Sequence, residues 1–137
     1  MTGAPGPPPA EALDEAECRR LLEGKRLGRL VLTSGALPAV IPVVYALDAE
    51  HIVVRVSPAW HLRTSLQGAV VAFEVDELDP ATSAGWSIVA VGVAQELAAD
   101  HPGRPADGGG DQIVGILPTA LSGHRVTLGA PGTGNPP

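Results

Sequence analysis

Residues 28–57 read GRLVLTSGALPAVIPVVYALDAEHIVVRVS, and this stretch decides the fold. Arg29-Leu30-Val31-Leu32-Thr33 follows Gly28 with the alternation of a strand, and Ser34-Gly35-Ala36-Leu37-Pro38 carries a turn signal. The apolar run 39–47 is a second strand. Asp48-Ala49-Glu50 leads into a third, His51-Ile52-Val53-Val54-Arg55-Val56-Ser57. The two connections are too short for the crossover that parallel neighbours require, so the three strands pair antiparallel. Pro42 stands inside the second strand, where it has no N–H to give to a ladder; it marks an edge, a bulge or a place where something other than a strand approaches.

Working outward, residues 13–24 carry helix punctuation. Asp14 and Glu17 have capping-box spacing, Leu13 and Cys18 are placed as a hydrophobic staple, and Gly24 suits a left-handed C-terminal position. Cys18, Leu21 and Leu22 form the buried stripe. Beyond the third strand, Ser57-Pro58 opens a second short helix over 59–67. A fourth strand covers 69–76, a polar loop 77–85, and a long strand 86–97 has Gly92 as its bend. Two short strands, 113–117 and 124–128, follow a Gly-rich break. The sum is a mainly β domain of six or seven antiparallel strands and two short helices. A small barrel closes such a sheet and leaves no apolar edge to aggregate.

The chain divides into a Pro-rich lead at 1–11, the domain at 12–128 with a flexible Gly-rich loop at 98–111, and a disordered tail at 129–137. Net charge is −6 with only 9 Lys and Arg, so a general nucleic-acid partner is not expected. Five of those nine, Arg19, Arg20, Lys25, Arg26 and Arg29, fall in one segment, where Glu15, Glu17 and Glu23 make it a mixed solvated face. The longest purely apolar run, 39–47, is far short of the ~20 residues of a membrane-spanning helix. With no secretory leader visible in the sequence, a cytoplasmic protein without a membrane partner is the expectation. Cys18 is the only cysteine and reads as a small core residue, which leaves no disulfide. His51, His61, His101 and His124 are scattered, and no metal site is expected.

One constellation has a chemical rationale. Arg55, Ser57 and His61 bring an outward guanidinium, a hydroxyl and an imidazole to the start of the second helix, a combination suited to a phosphate monoester. The bland alternative is an ordinary capped helix carrying two surface arginines.

The order of these segments resembles the FMN-binding split-barrel family related to pyridoxamine 5′-phosphate oxidase. The resemblance runs from about residue 14 to residue 125 and rests on Cys18-Arg19-Arg20-Leu21-Leu22 leading to Gly28-Arg29-Leu30-Val31, on Pro42-Val43-Val44-Tyr45, on Arg55-Val56-Ser57, on Phe73-Glu74-Val75-Asp76, on Gly85-Trp86-Ser87-Ile88-Val89 and on Ser122-Gly123-His124-Arg125. It implies a split β-barrel homodimer with a flavin at the two-fold interface. Ile41, Pro42 and Val43 would line the isoalloxazine ring. Arg55, Val56, Ser57 and His61 would hold the phosphate, with Leu62 behind it, and Trp86 and Ser87 would approach from the partner subunit.

The function so implied is an FMN-dependent oxidoreductase that moves a hydride to or from an unknown small molecule. Because the cofactor carries the hard chemistry, no catalytic side chain is nominated. Val44 and His61 stand where related sequences often have a polar side chain and a lysine, and the stretch 98–112 is short. These features keep open an alternative: a non-catalytic dimeric binding or carrier module for flavin, a deazaflavin coenzyme or haem.

Overall fold

The computed structural model describes residues 10–60, 65–106 and 112–128. The lead up to residue 9, the tail, His61, Leu62 and the end of the Gly-rich loop lie outside the described residues. Seven strands and one α-helix follow one another as β1 (Ala10–Leu13), α1 (Glu15–Glu23), β2 (Leu27–Ser34), β3 (Leu37–Asp48), β4 (His51–Val56), β5 (Val70–Asp79), β6 (Ala84–Leu97) and β7 (Gln112–Thr127). All pairings are antiparallel, in the order β1-β7-β4-β3-β2-β5-β6, and β6 also pairs with β7. Six strands therefore close into a ring, and β1 attaches to the far end of β7.

Two devices explain the closure. The β2–β3 hairpin turns through Gly35 (φ 58°) and Ala36 (φ 68°), the positive-φ pair whose handedness matches the twist of the flanking strands. Gly92 lies where the β6–β7 register shifts, Val91 facing Ala120 and Gly92 facing Pro118, so Thr119 is the extra residue of a bulge. The expected bend at Gly92 is this bulge. The two short final strands of the sequence reading are instead one 16-residue strand, since the turn signals at Pro118 and Ser122 are absorbed by pairing with β6.

The remaining differences are local. The polar stretch 77–85 extends both β5 and β6, and only a tight turn joins them: the Asp79 carboxylate accepts from Ala81 N–H at 2.8 Å. β1 begins at Ala10, within the expected lead, because Ala10–Leu13 adds a strand along Gly123–Val126. Of the second helix, the described residues contain one 3₁₀ turn, Pro58–Trp60. Residues 65–68 are not helical, and Gln67 is used instead to accept from Glu96 N–H through its side chain. Gly24 has φ −82° rather than a left-handed value; a 3₁₀-type bond from its N–H to Leu21 O ends α1.

Helix α1 starts as its cap predicts, with Asp14 accepting from Glu17 N–H at 2.8 Å. Glu17 does not return the bond; its carboxylate meets Arg125 at 2.7 Å and ties the helix to β7. Cys18 and Leu22 enter the barrel core, joined by Ile41, Val43, Tyr45, Phe73 and Ile88. Glycine is required at two of the contacts. A Cβ on Gly123 would stand 2.5 Å from Cys18 Sγ, and one on Gly28 would stand 2.5 Å from the Phe73 ring.

Candidate functional site

The site grows from the point where β3 parts from β4. The two strands pair only from Val44 facing Arg55 onward, so Pro42 and Val43 keep β2 as a neighbour and present an open edge on the other side. Pro42 thus stands at an edge, where its missing N–H costs no ladder bond. Beside this edge lies a pocket of about 220 Å³ lined by Leu27, Pro42, Val43, Val44, Arg55 and Ser57. Four of the residues singled out from the sequence, Pro42, Val43, Arg55 and Ser57, are therefore brought together.

The other candidates are placed as follows. Ile41 and Val43 share the core-facing side of β3, and Val56, between Arg55 and Ser57, also points into the core; all three are buried. Trp86 is 6% exposed and packs in the core of its own barrel. Ser87, next along β6, is half-buried and faces Asp76 and His124 in register. Neither Trp86 nor Ser87 lines the Arg55 pocket.

Arg55 is the buried cation of the described residues, only 6% exposed. β4 is buried on both faces: Ile52, Val54 and Val56 belong to the core, while Val53 and Arg55 are covered from outside. Near Arg55 the cover is Pro105, whose carbonyl accepts from Arg55 Nη2 at 2.6 Å. The described part of the Gly-rich loop is accordingly fastened. Arg104 Nη1 donates to the carbonyls of Asp100 and His101 at 2.9 Å, and Gly103 N–H donates to His101 Nδ1 at 3.0 Å. Ser57 Oγ accepts from Ala59 N–H at 3.2 Å, which leaves its O–H as a donor.

Two larger depressions adjoin the pocket. One of about 490 Å³ shares Leu27 and Pro42 with it and adds Lys25, Arg26, Arg29 and Asp76. Another of about 680 Å³ shares Lys25 and Arg26 with the second, and extends between Leu22, Tyr45, Leu47 and Pro105. From the sequence, Lys25 and Arg26 read as part of a mixed solvated face, and Leu27 and Pro105 were not singled out. The basic run at 19–29 was the available signal, and it was divided between structures: Arg19 and Arg20 pair along α1 with Glu15 and Glu17, whereas Lys25 and Arg29 reach β5.

Arg29 Nη1 meets Glu74 at 2.7 Å and Asp76 at 3.1 Å, and Lys25 Nζ pairs with Glu77. The acidic run of β5 is thus a half-exposed, ion-paired face. Burial and the neighbouring Asp76 carboxylate push the Glu74 carboxyl above its ordinary range, against the pull of Arg29. The Arg29 guanidinium is shifted up in turn by its bond to Glu74. Among the described residues no group of three or more His, Cys, Asp or Glu is arranged to hold a metal ion, and no helix is long and apolar enough to cross a membrane.

A closed antiparallel ring with one capping helix and a small pocket holding a buried arginine at an open strand edge is the split-barrel architecture. The chain belongs to the pyridoxamine 5′-phosphate oxidase family, whose model matches residues 14–125. It is 34% identical over 131 residues to the uncharacterized protein Rv0080 of Mycobacterium tuberculosis, covering 83% of this chain and 84% of that one. Among solved structures it is similar to an FAD binding protein from Mycobacterium smegmatis, with 26% identity, 85% of this chain and 97% of that one covered, and a TM-score of 0.67. It shares its fold with an FAD-binding protein from Mesorhizobium loti at 22% identity and a TM-score of 0.65, over 86% of this chain and 97% of that one.

The residues present fit the phosphate end of a flavin nucleotide. A buried guanidinium and a serine hydroxyl flank one side of the pocket, and the apolar edge of Pro42 and Val43 flanks the other. About 220 Å³ is below the usual volume of a complete small-molecule site.

Proposed function

We propose that this chain binds a flavin, FMN in the first instance, and acts as a cytoplasmic oxidoreductase on a small molecule. The observation that carries this reading is Arg55, a buried cation in a pocket with Ser57, at the open edge of Pro42 and Val43, in a chain of this family. Arg55 and Ser57 hold the phosphate. Pro42 and Val43 lie along the ring, and Ile41 and Val56 keep the two strands in place from the core side. When bound, the flavin accepts or donates a hydride; the protein orients it and limits water.

A homodimer completes the site. The single-chain pocket is too small for the ring, and Ser87 lies on an outward face from which a second copy reaches across. His61 and Leu62, which follow these residues in sequence, lie outside the described residues.

The test is an absorption spectrum of the purified protein, then titration with FMN and with FAD while flavin fluorescence is followed, alongside the mass measured by light scattering. Saturable binding of one flavin per chain by a dimer supports the reading. A colourless protein that takes neither nucleotide overturns it, and a red protein with a sharp near-ultraviolet band selects the haem-carrier alternative. Bound flavin that no reductant or acceptor turns over selects the non-catalytic carrier.

A further inference from the structure

We infer that the outer face of β3, β2, β5, β6 and β7, centred on one row of five outward side chains, is the surface on which a second copy of this chain docks. Register sets those five directly opposite one another: Val40 faces Val31, Val31 faces Ala72, Ala72 faces Val91 and Val91 faces Ala120. Ile41, Leu30, Phe73, Ala90 and Leu121, one beside each in sequence, belong to the core or pack against it, so strand alternation turns the row outward. A second row runs beside the first, with Val70 facing Val93 and Val93 facing Leu117. Val40, Val70, Val93 and Leu117 are 58%, 69%, 46% and 45% exposed. Thr119, the bulge residue between Leu117 and Ala120, spends its hydroxyl on the carbonyl of Val91 at 3.2 Å and adds no unpaired polar group to the face. A contiguous apolar surface left open in this way marks an interaction site.

Charge and position identify the occupant. Each copy carries a net charge of −6, and two copies approach most readily where neither brings a charge. The two apolar rows offer a basic or an acidic partner nothing to pair with. A face of Val and Ala suits a second sheet stacked at about 10 Å, and a two-fold axis supplies one by laying the same patch on itself. The border fits the same partner. Pro42, Arg29, Glu74, Val89 and Ser122 form the next row in register, and there Arg29 holds Glu74 at 2.7 Å and Asp76 at 3.1 Å. A strip that carries both signs can meet its own copy with opposite charges together. Pro42 also lines the pocket of Arg55 and Ser57, so a copy seated on this face stands beside that pocket. The inference names the contact surface of the homodimer proposed above and rests on that reading, while the association itself is measured without flavin.

The experiment uses the full chain without added flavin and follows its mass by light scattering and sedimentation over a dilution series. The parent should be a dimer. Val91→Lys brings two ammonium groups into the contact and should raise the dimer dissociation constant more than about hundredfold, while circular dichroism stays as in the parent because the side chain is outward. Val31→Lys, its neighbour but one in the row, makes the same change from β2 and serves if the first variant does not fold. Glu50→Lys, in the exposed turn between β3 and β4 and outside the face, should leave the dimer as it is. A folded lysine variant as dimeric as the parent overturns this face and leaves the homodimer standing. A monomeric parent overturns both, and one that binds neutral phosphatidylcholine vesicles gives the face to lipid instead. FMN is titrated into the same preparations: a parent that dimerises through this face yet takes no flavin loses the flavin reading and keeps the face.

Discussion

The hydroxyl of Tyr45 donates a 2.5 Å hydrogen bond to the carbonyl of Leu22, and this bond fastens the last turn of α1 to strand β3. Leu22 O also accepts from Lys25 N–H at 3.2 Å, and the Tyr45 ring meets Phe73 edge to face at 4.9 Å. One tyrosine therefore joins the capping helix, β3 and β5, and it forms a wall of the 680 Å³ cleft.

Tyr45→Phe keeps the ring and removes the bond. Since Leu22 O retains a second donor, the loss should be about 1 kcal/mol, read as a shift in the denaturant midpoint. An unchanged midpoint would show that the hydroxyl contributes nothing net.

Burial pushes the Tyr45 phenol up from 10.0 to about 12. A group whose folded-state pKa is raised contributes stability that is complete below the unfolded value and lost as pH climbs through the folded one. The protein should therefore lose stability between pH 10 and about 12, and Tyr45→Phe should flatten that part of the curve. Tyr45 is the only tyrosine, so absorbance of the phenolate titrates it alone.

Arg55→Ala should raise the dissociation constant for FMN more than tenfold, as expected when a charge-assisted contact of about 1.5–3 kcal/mol is lost. The same change releases the carbonyl of Pro105. Limited proteolysis of the loop should therefore accelerate in the variant, and an FMN affinity equal to the parent's would remove Arg55 from the site.

Cys18 should resist thiol reagents in the native protein. It is fully buried, and desolvation first, then the Asp14, Glu17 and Glu15 carboxylates, push its thiol above the ordinary value. Labelling should follow the unfolding curve. Rapid modification in buffer would mean that α1 opens far more readily than its packing implies.

Gly92→Ala should destabilise by roughly 1–3 kcal/mol, because its Cβ would stand 2.2 Å from the carbonyl oxygen of Leu117 and the bulge has no flexible side chain to yield. Thermal unfolding followed by circular dichroism reads the effect, and an unchanged melting temperature would show that β6 and β7 separate there without cost.

The sequence by itself determined helix α1, the three strands of 28–57 and their antiparallel pairing. Alternation along 28–57, short connections and the Asp14 cap are local properties, and local properties survive without knowledge of the fold. It also assembled most of the Arg55 pocket, because Pro42, Arg55 and Ser57 lie on neighbouring strands joined by one hairpin. Tertiary structure alone decided what depends on residues distant in the chain. β7 is continuous because β6 supplies partners along its length, which overrides the turn signals at Pro118 and Ser122. Ala10–Leu13 becomes a strand because β7 offers it an edge. Pro105 reaches Arg55 across 50 positions, and Lys25 meets Glu77 across 52, so neither the loop's fastening nor this ion pair shows any period in the sequence. Contacts of that kind are set by how the barrel closes, and only the closed barrel displays them.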